Sequence, residues 1–99
     1  MKIEKVKIMK FVWDENKNKI NIQKHGISFE RAAYIFKDPN YIEDYDEIHS
    51  FDEDRYRIIG MVDQVLCVIV TYREKDTVRI ISARKATQEE RSAYYGNSC

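Results

Sequence analysis

The chain has 99 residues, 34% of them charged and 43% hydrophobic, with equal numbers of basic and acidic side chains. That length suits a single domain over 1–99 with one modest core, and the apolar share is too high for a disordered chain. No apolar run approaches the ~18 residues of a membrane span, and MKIEKVKIMK lacks a continuous apolar signal core. With two cysteines too few for a disulfide framework, the expected setting is the reducing cytoplasm, with no membrane partner.

A net charge of zero argues at first against a nucleic-acid partner. The distribution says otherwise. Residues 38–54 hold eight acids and no lysine or arginine. All 17 basic residues lie elsewhere beside nine acids, a local excess of eight positive charges. Two surfaces for two partners would fit this, although such an acidic loop is often simply solvated.

In chain order, KVKIMKFVW (5–13) alternates as a strand, with Met9, Phe11 and Trp13 on one face. Asp14 is a good N-cap for a short polar helix that ends at Lys24 and His25, with Gly26 where a left-handed C′ residue belongs. There His25 would sit against the last carbonyls. Ser28 caps a second helix, in which Phe29, Ala32, Ala33 and Phe36 form the apolar stripe, and Pro39 stops it. Trp13 and Phe36 are expected in the core. The acidic stretch follows, tied down by Tyr41, Ile42, Tyr45, Ile48 and Phe51. His49 within it reads as a surface residue.

Three strands come next: Arg55–Val62, Val65–Tyr72 and Thr77–Ala83, with links short enough for an antiparallel meander. The second is apolar on both faces and should be central. Cys67 within it reads as a small core residue. In the third, Val78, Ile80 and Ser82 would point one way and Arg79, Ile81 and Ala83 the other. Thr87 opens the last helix with a capping box, T-x-x-E, closed by Glu90. The expected class is α+β: a twisted, mostly antiparallel sheet, two N-terminal helices on one face and a C-terminal helix.

Arg79, Arg84, Lys85 and Arg91 share one strand-to-helix unit, and a guanidinium fork matches phosphate oxygens. The sheet face left open by the early helices would be reached by some of Arg55, Arg57, Tyr72 and Arg79. Aromatic and basic side chains there would make an RNA platform. No HExxH, GxSxG or P-loop motif is present, and no metal-ligand spacing, so no metal and no cofactor are expected. RNA can be cleaved without them, because its own 2′-OH is the nucleophile. The protein has only to orient it, neutralise charge and move protons.

The chain resembles the BrnT toxins of type II toxin–antitoxin systems. The likeness runs through F-x-W-D (Phe11, Trp13, Asp14), N-x-x-K-H-G ending at Lys24, His25 and Gly26, and F-E-x-A (Phe29, Glu30, Ala32). It continues through Asp38-Pro39, the acid–arginine pair Asp54-Arg55 with Gly60, and R-I-I-S-A-R-K-A-T-x-x-E-R from Arg79 to Arg91. It implies a RelE-like fold and an RNA-cleaving toxin that arrests translation. It also implies neutralisation by a BrnA-type antitoxin, through which operator DNA would be bound only indirectly. The matching site residues are His25, Arg55, Arg79, Arg84 and Lys85. Of these, Arg79 and Arg84 suit charge stabilisation and His25 proton transfer. Arg55, Arg57, Tyr72 and Lys85 are the expected RNA contacts.

Overall fold

The computed structural model describes residues 9–97. Strand β1 (Lys10–Val12) leads into helix α1 (Glu15–His25), a one-turn helix α2 (Phe29–Ala32) and a 3-10 segment (Ala33–Lys37). Strands β2 (Ile42–Tyr45), β3 (Tyr56–Val62), β4 (Gln64–Arg73) and β5 (Thr77–Lys85) follow, and helix α3 (Gln88–Asn97) comes last. The sheet order is β1-β5-β4-β3-β2. β4 is central, as its two-faced apolar sequence requires. Residues 5–8 of the first expected strand and Cys99 lie outside the described residues.

Local chemistry sets the helix ends. Asp14 Oδ1 accepts from the N–H groups of Asn16 (2.8 Å) and Lys17 (3.2 Å), and Ser28 Oγ accepts from Arg31 N–H (3.1 Å). Gly26 closes α1 at φ +71°, where a side chain would be strained. Gly60 answers a different need. A Cβ there would stand 2.8 Å from Ile35 Cγ1 and 3.0 Å from Tyr41 Cβ, so only glycine lets the 3-10 segment lie against β3.

The sheet buries both faces. On one, Ile58, Leu66, Val68, Val70, Val78, Ile80 and Ala83 pack with Ile27, Phe29, Ala32 and Ile35. On the other, Ile59, Val65 and Cys67 pack with Tyr94 of α3. The second face is therefore partly covered by α3 rather than left open. Asp38 reinforces this cover: its Oδ2 accepts from Met61 N–H (2.8 Å) and from the Tyr94 hydroxyl (2.7 Å). Burial pushes the Asp38 carboxyl up, but these hydrogen bonds and one from Asn40 N–H outweigh that and leave it below the usual range.

Four features were not read from the sequence, and the last two of them correct an expectation. β1 pairs with β5 in parallel, because the two strands are joined through the whole sheet and not by a hairpin. Ile42–Tyr45 of the acidic stretch is an edge strand, antiparallel to β3; three of its four side chains are exposed, so it has no apolar alternation to reveal it. The second helix tightens to 3-10 geometry after Ala32. The buried positions are then Phe29, Ala32 and Ile35, three apart, and Phe36 is only half-buried against Phe11 and Tyr41. Trp13, likewise half-buried, packs edge-on to Phe29. The fourth concerns β5. Ile69 faces Ser82 but Val70 faces Ile80, which leaves Ile81 as an extra residue, a β-bulge. Beyond it the alternation inverts: Ala83 enters the core with Val78 and Ile80, and Ser82 turns away.

α1 docks through amides rather than an apolar stripe. Its buried residues are Asn18 and Asn21, while Ile20 and Ile22 are exposed. β1 stops opposite Arg79, so the outer backbone edge of β5 is free beyond it. Asn21 takes that edge: Nδ2 donates to Ala83 O (2.9 Å) and to Ile27 O (2.8 Å), and Oδ1 accepts from Ala83 N–H (3.1 Å). Replacing Asn21 by Ala strands three buried backbone groups, each of which costs ~1–3 kcal/mol when unsatisfied. We expect a clear fall in the urea midpoint at unchanged slope. An unaltered midpoint would show that water replaces the amide without cost.

Candidate active site

The T-x-x-E sequence closes as a capping box. Glu90 N–H donates to Thr87 Oγ1 (3.1 Å), and Thr87 N–H donates to Glu90 Oε1 (2.9 Å). The same carboxylate, its side chain only 8% exposed, also receives both terminal nitrogens of Arg84. Nη1 reaches Oε1 at 2.7 Å and Nη2 reaches Oε2 at 3.0 Å. Arg57 Nη1 stands 3.6 Å from Oε2, and its Nη2 meets Asp44 across the β2–β3 pair. Arg84 holds the Glu90 carboxyl down at about 2, against the opposing effect of burial. In return Glu90 raises the Arg84 pKa, and Asp44 does most to raise that of Arg57.

Arg84 reaches this place because of the β5 bulge. Strict alternation from Val78 and Ile80 would have pointed it into the helix-covered core. With one residue inserted, it joins the opposite face.

There Arg55, Arg57 and Arg84 line a concave pocket of about 320 Å³ together with Asp46, His49 and Ser82. Two donors, Arg55 Nε and Arg57 Nε, are buried with no hydrogen-bond acceptor. Buried donors are rarely left so. The loop after β2 supplies the opposite wall. Asp46 N–H donates to Arg55 O (2.8 Å), and Ser50 Oγ donates to Asp46 O (2.5 Å) while accepting from Arg55 N–H (2.9 Å). So fixed, the Asp46 carboxylate lies 3.1 and 3.0 Å from His49 Nδ1.

The expected site residues separate. Arg55, Arg57 and Arg84 come together. Arg79 alternates with core residues Val78 and Ile80, so it points to the same side of the sheet as the pocket, but it does not line the pocket. Lys85 is exposed at the end of β5. Tyr72 sits opposite Val78 and stacks on Tyr56, on the other side of the sheet, with its hydroxyl 2.5 Å from Glu43 Oε1. Burial, and then that contact, push the Tyr72 phenol up. His25 is exposed in the last turn of α1 and does not line the pocket. Asp46, His49 and the anchoring role of Glu90 were missed. The D-x-x-H spacing of Asp46 and His49 was the available signal, hidden in a run of acids. A larger apolar groove of about 670 Å³, lined by Met9, Phe11, Trp13 and Phe36, has no such convergence of polar groups.

An α+β domain with a five-stranded sheet and an arginine-lined pocket fits a protein that handles phosphodiesters. The family described as "Ribonuclease toxin, BrnT, of type II toxin-antitoxin system" matches residues 13–90, and the chain belongs to that family. The 1.1 Å crystal structure of the Brucella abortus ribonuclease toxin BrnT is similar to it, with a TM-score of 0.65 and 27% identity over 82% of this chain and 100% of that one. No curated protein sequence matches the chain.

The Glu90 pairing makes stability pH-dependent. The folded carboxyl sits at about 2, below its ordinary 4.5. The contribution is therefore complete above pH 4.5 and is lost as pH falls through 2. Its size is on the order of 3 kcal/mol, at 1.36 kcal/mol per pH unit. Glu90→Gln should lower the melting temperature at pH 7 and show a shallower loss than wild type between pH 4.5 and 2. Parallel acid profiles would show that the pairing contributes nothing net.

Proposed function

We propose that the chain is an endoribonuclease toxin that cleaves RNA without a metal ion, and so inhibits translation. A RelE-like class of fold and neutralisation by a BrnA-type antitoxin are part of the same reading. The observation that carries it is the arginine pocket with its two unsatisfied Nε donors. Three guanidinium groups in one concavity supply the positive charge that a metal would otherwise bring to a phosphodiester. Arg55, Arg57 and Arg84 then hold the phosphate, and Arg79 and Lys85 extend the basic track beside the pocket. The antitoxin covers this surface and competes with RNA. Tyr72, across the sheet beside Glu43, takes no part in this contact. Proton transfer falls to a histidine: His25 on the family resemblance, or His49 on its position.

One observation favours a second reading, a non-catalytic binding module: Arg57 and Arg84 already hold carboxylates, so their charge is largely met within the chain.

The separating variant is Arg55→Ala, because no side-chain ion pair is lost with it among the described residues. Expression of the wild type should arrest bacterial growth, and the purified protein should cut RNA. Arg55→Ala should slow cutting by ~10²–10³-fold, the usual loss for one electrostatic stabiliser, at an unchanged melting temperature. Full cutting by Arg55→Ala, or no cutting by the wild type, would remove this reading.

A further inference from the structure

We propose that His49 and Asp46 form the proton-transfer pair of the reaction, with His49 as its catalytic base and Asp46 as the positioning residue; this rests on the ribonuclease reading above. The argument begins with the hydrogen bonds. A carboxylate can only accept, and both Asp46 oxygens lie within 3.1 Å of His49 Nδ1. Nδ1 therefore carries a proton, and in the neutral imidazole it is Nε2 that holds the lone pair. The Asp46 side chain is 11% exposed and its loop is tied by three further bonds to Arg55 and Ser50, so the ring is aimed rather than loose. The His49 side chain is 63% exposed and lines the pocket, so a substrate can reach Nε2.

The charged surroundings suit the task. Arg55 just before β3, Arg57 of β3 and Arg84 of β5 line the same pocket as His49. Asp46 faces it from its own loop, while Asp44 pairs with Arg57 and Glu90 with Arg84 and Arg57. A phosphodiester seated on the guanidinium groups would bring its adjoining ribose toward the loop wall. Donors for the phosphate on one side and a base on the other are what transesterification of RNA requires.

In the step itself, His49 Nε2 takes the proton of a ribose 2′-OH as that oxygen bonds to the adjacent phosphorus. The P–O5′ bond breaks with its electron pair on the 5′ oxygen, which takes a proton from water. The hydroxide so formed accepts the proton from His49 and restores the base. The products are a 2′,3′-cyclic phosphate and a 5′-hydroxyl. His25 has no comparable setting: it ends α1, outside the pocket.

The test uses the purified full chain, a long mixed-sequence transcript and a 2′-O-methyl RNA strand that binds but lacks the nucleophile. His49→Ala should lower cleavage by ~10²–10⁴-fold, the range for one general base. Its unfolding midpoint and its affinity for the 2′-O-methyl strand should be unchanged, and added imidazole should restore part of the rate. Asp46→Asn should lose less activity and displace the acid limb of the pH–rate profile, which a merely structural role would not do. Cleavage by wild type with His49→Ala at full rate would overturn the pair and leave the ribonuclease reading standing. So would loss confined to His25→Ala, loss of 2′-O-methyl binding equal to the loss of rate, or products without a cyclic phosphate. No cleavage by wild type would overturn the ribonuclease reading, and this inference with it.

Discussion

The Glu90 carboxylate ties the candidate site to the fold. It completes the N-terminal cap of α3 through Thr87, and in the same position takes both nitrogens of Arg84 and approaches Arg57. A buried carboxylate is costly unless it is paired and hydrogen-bonded, and this one is both. Two arginines from different strands are thereby held at fixed places, with much of their side-chain entropy already lost before any ligand arrives. The start of α3 and the shape of the pocket are set by one contact.

That coupling explains why the second sheet face is neither an open platform nor a closed core. Tyr94 of α3 packs on Ile59, Val65 and Cys67, and Asp38 holds the tyrosine hydroxyl. The helix covers part of the face, and the loop after β2 rises at another side, leaving the arginine pocket between them. Burial there pushes the Cys67 thiol up to about 12, so it is packing material and not a nucleophile. The acidic segment is likewise more than a solvated run. Asp44 pairs with Arg57, Tyr45 donates to Asp54, and Asp46 takes His49. Of these, the Asp44–Arg57 pair links the acidic segment to the basic remainder of the chain.

The amides of α1 make a related point. A polar helix with exposed isoleucines has little hydrophobic reason to dock. It docks because its asparagines satisfy backbone groups left over elsewhere: Asn18 Oδ1 accepts from Phe29 N–H at the start of α2 at 2.8 Å, and Asn21 serves Ala83 on the β5 edge beyond the short β1. The asparagine of N-x-x-K-H-G is thus an edge cap for β5. Together with Gly26 it gives that motif a structural meaning beside any role of His25.

By itself, the sequence determined what depends on neighbours along the chain. The caps at Asp14, Ser28 and Thr87, the left-handed Gly26, the meander of three strands and the central place of β4 all follow from local spacing and period. The family, too, was legible, because its motifs are short patterns of adjacent residues. Only the tertiary structure decided what depends on partners far apart. The parallel β1–β5 pair and the edge strand Ile42–Tyr45 carry little periodic signal of their own. The bulge at Ile81 inverts β5 beyond it, so strand parity could not assign Arg84 to a face. Tyr72 and the arginines parted to opposite sides for the same kind of reason, a register that no single strand reveals. His49 is exposed, as its polar surroundings suggest, and only the fold places it in one pocket with three arginines, because a site is a matter of distance in space and the chain records only distance in sequence.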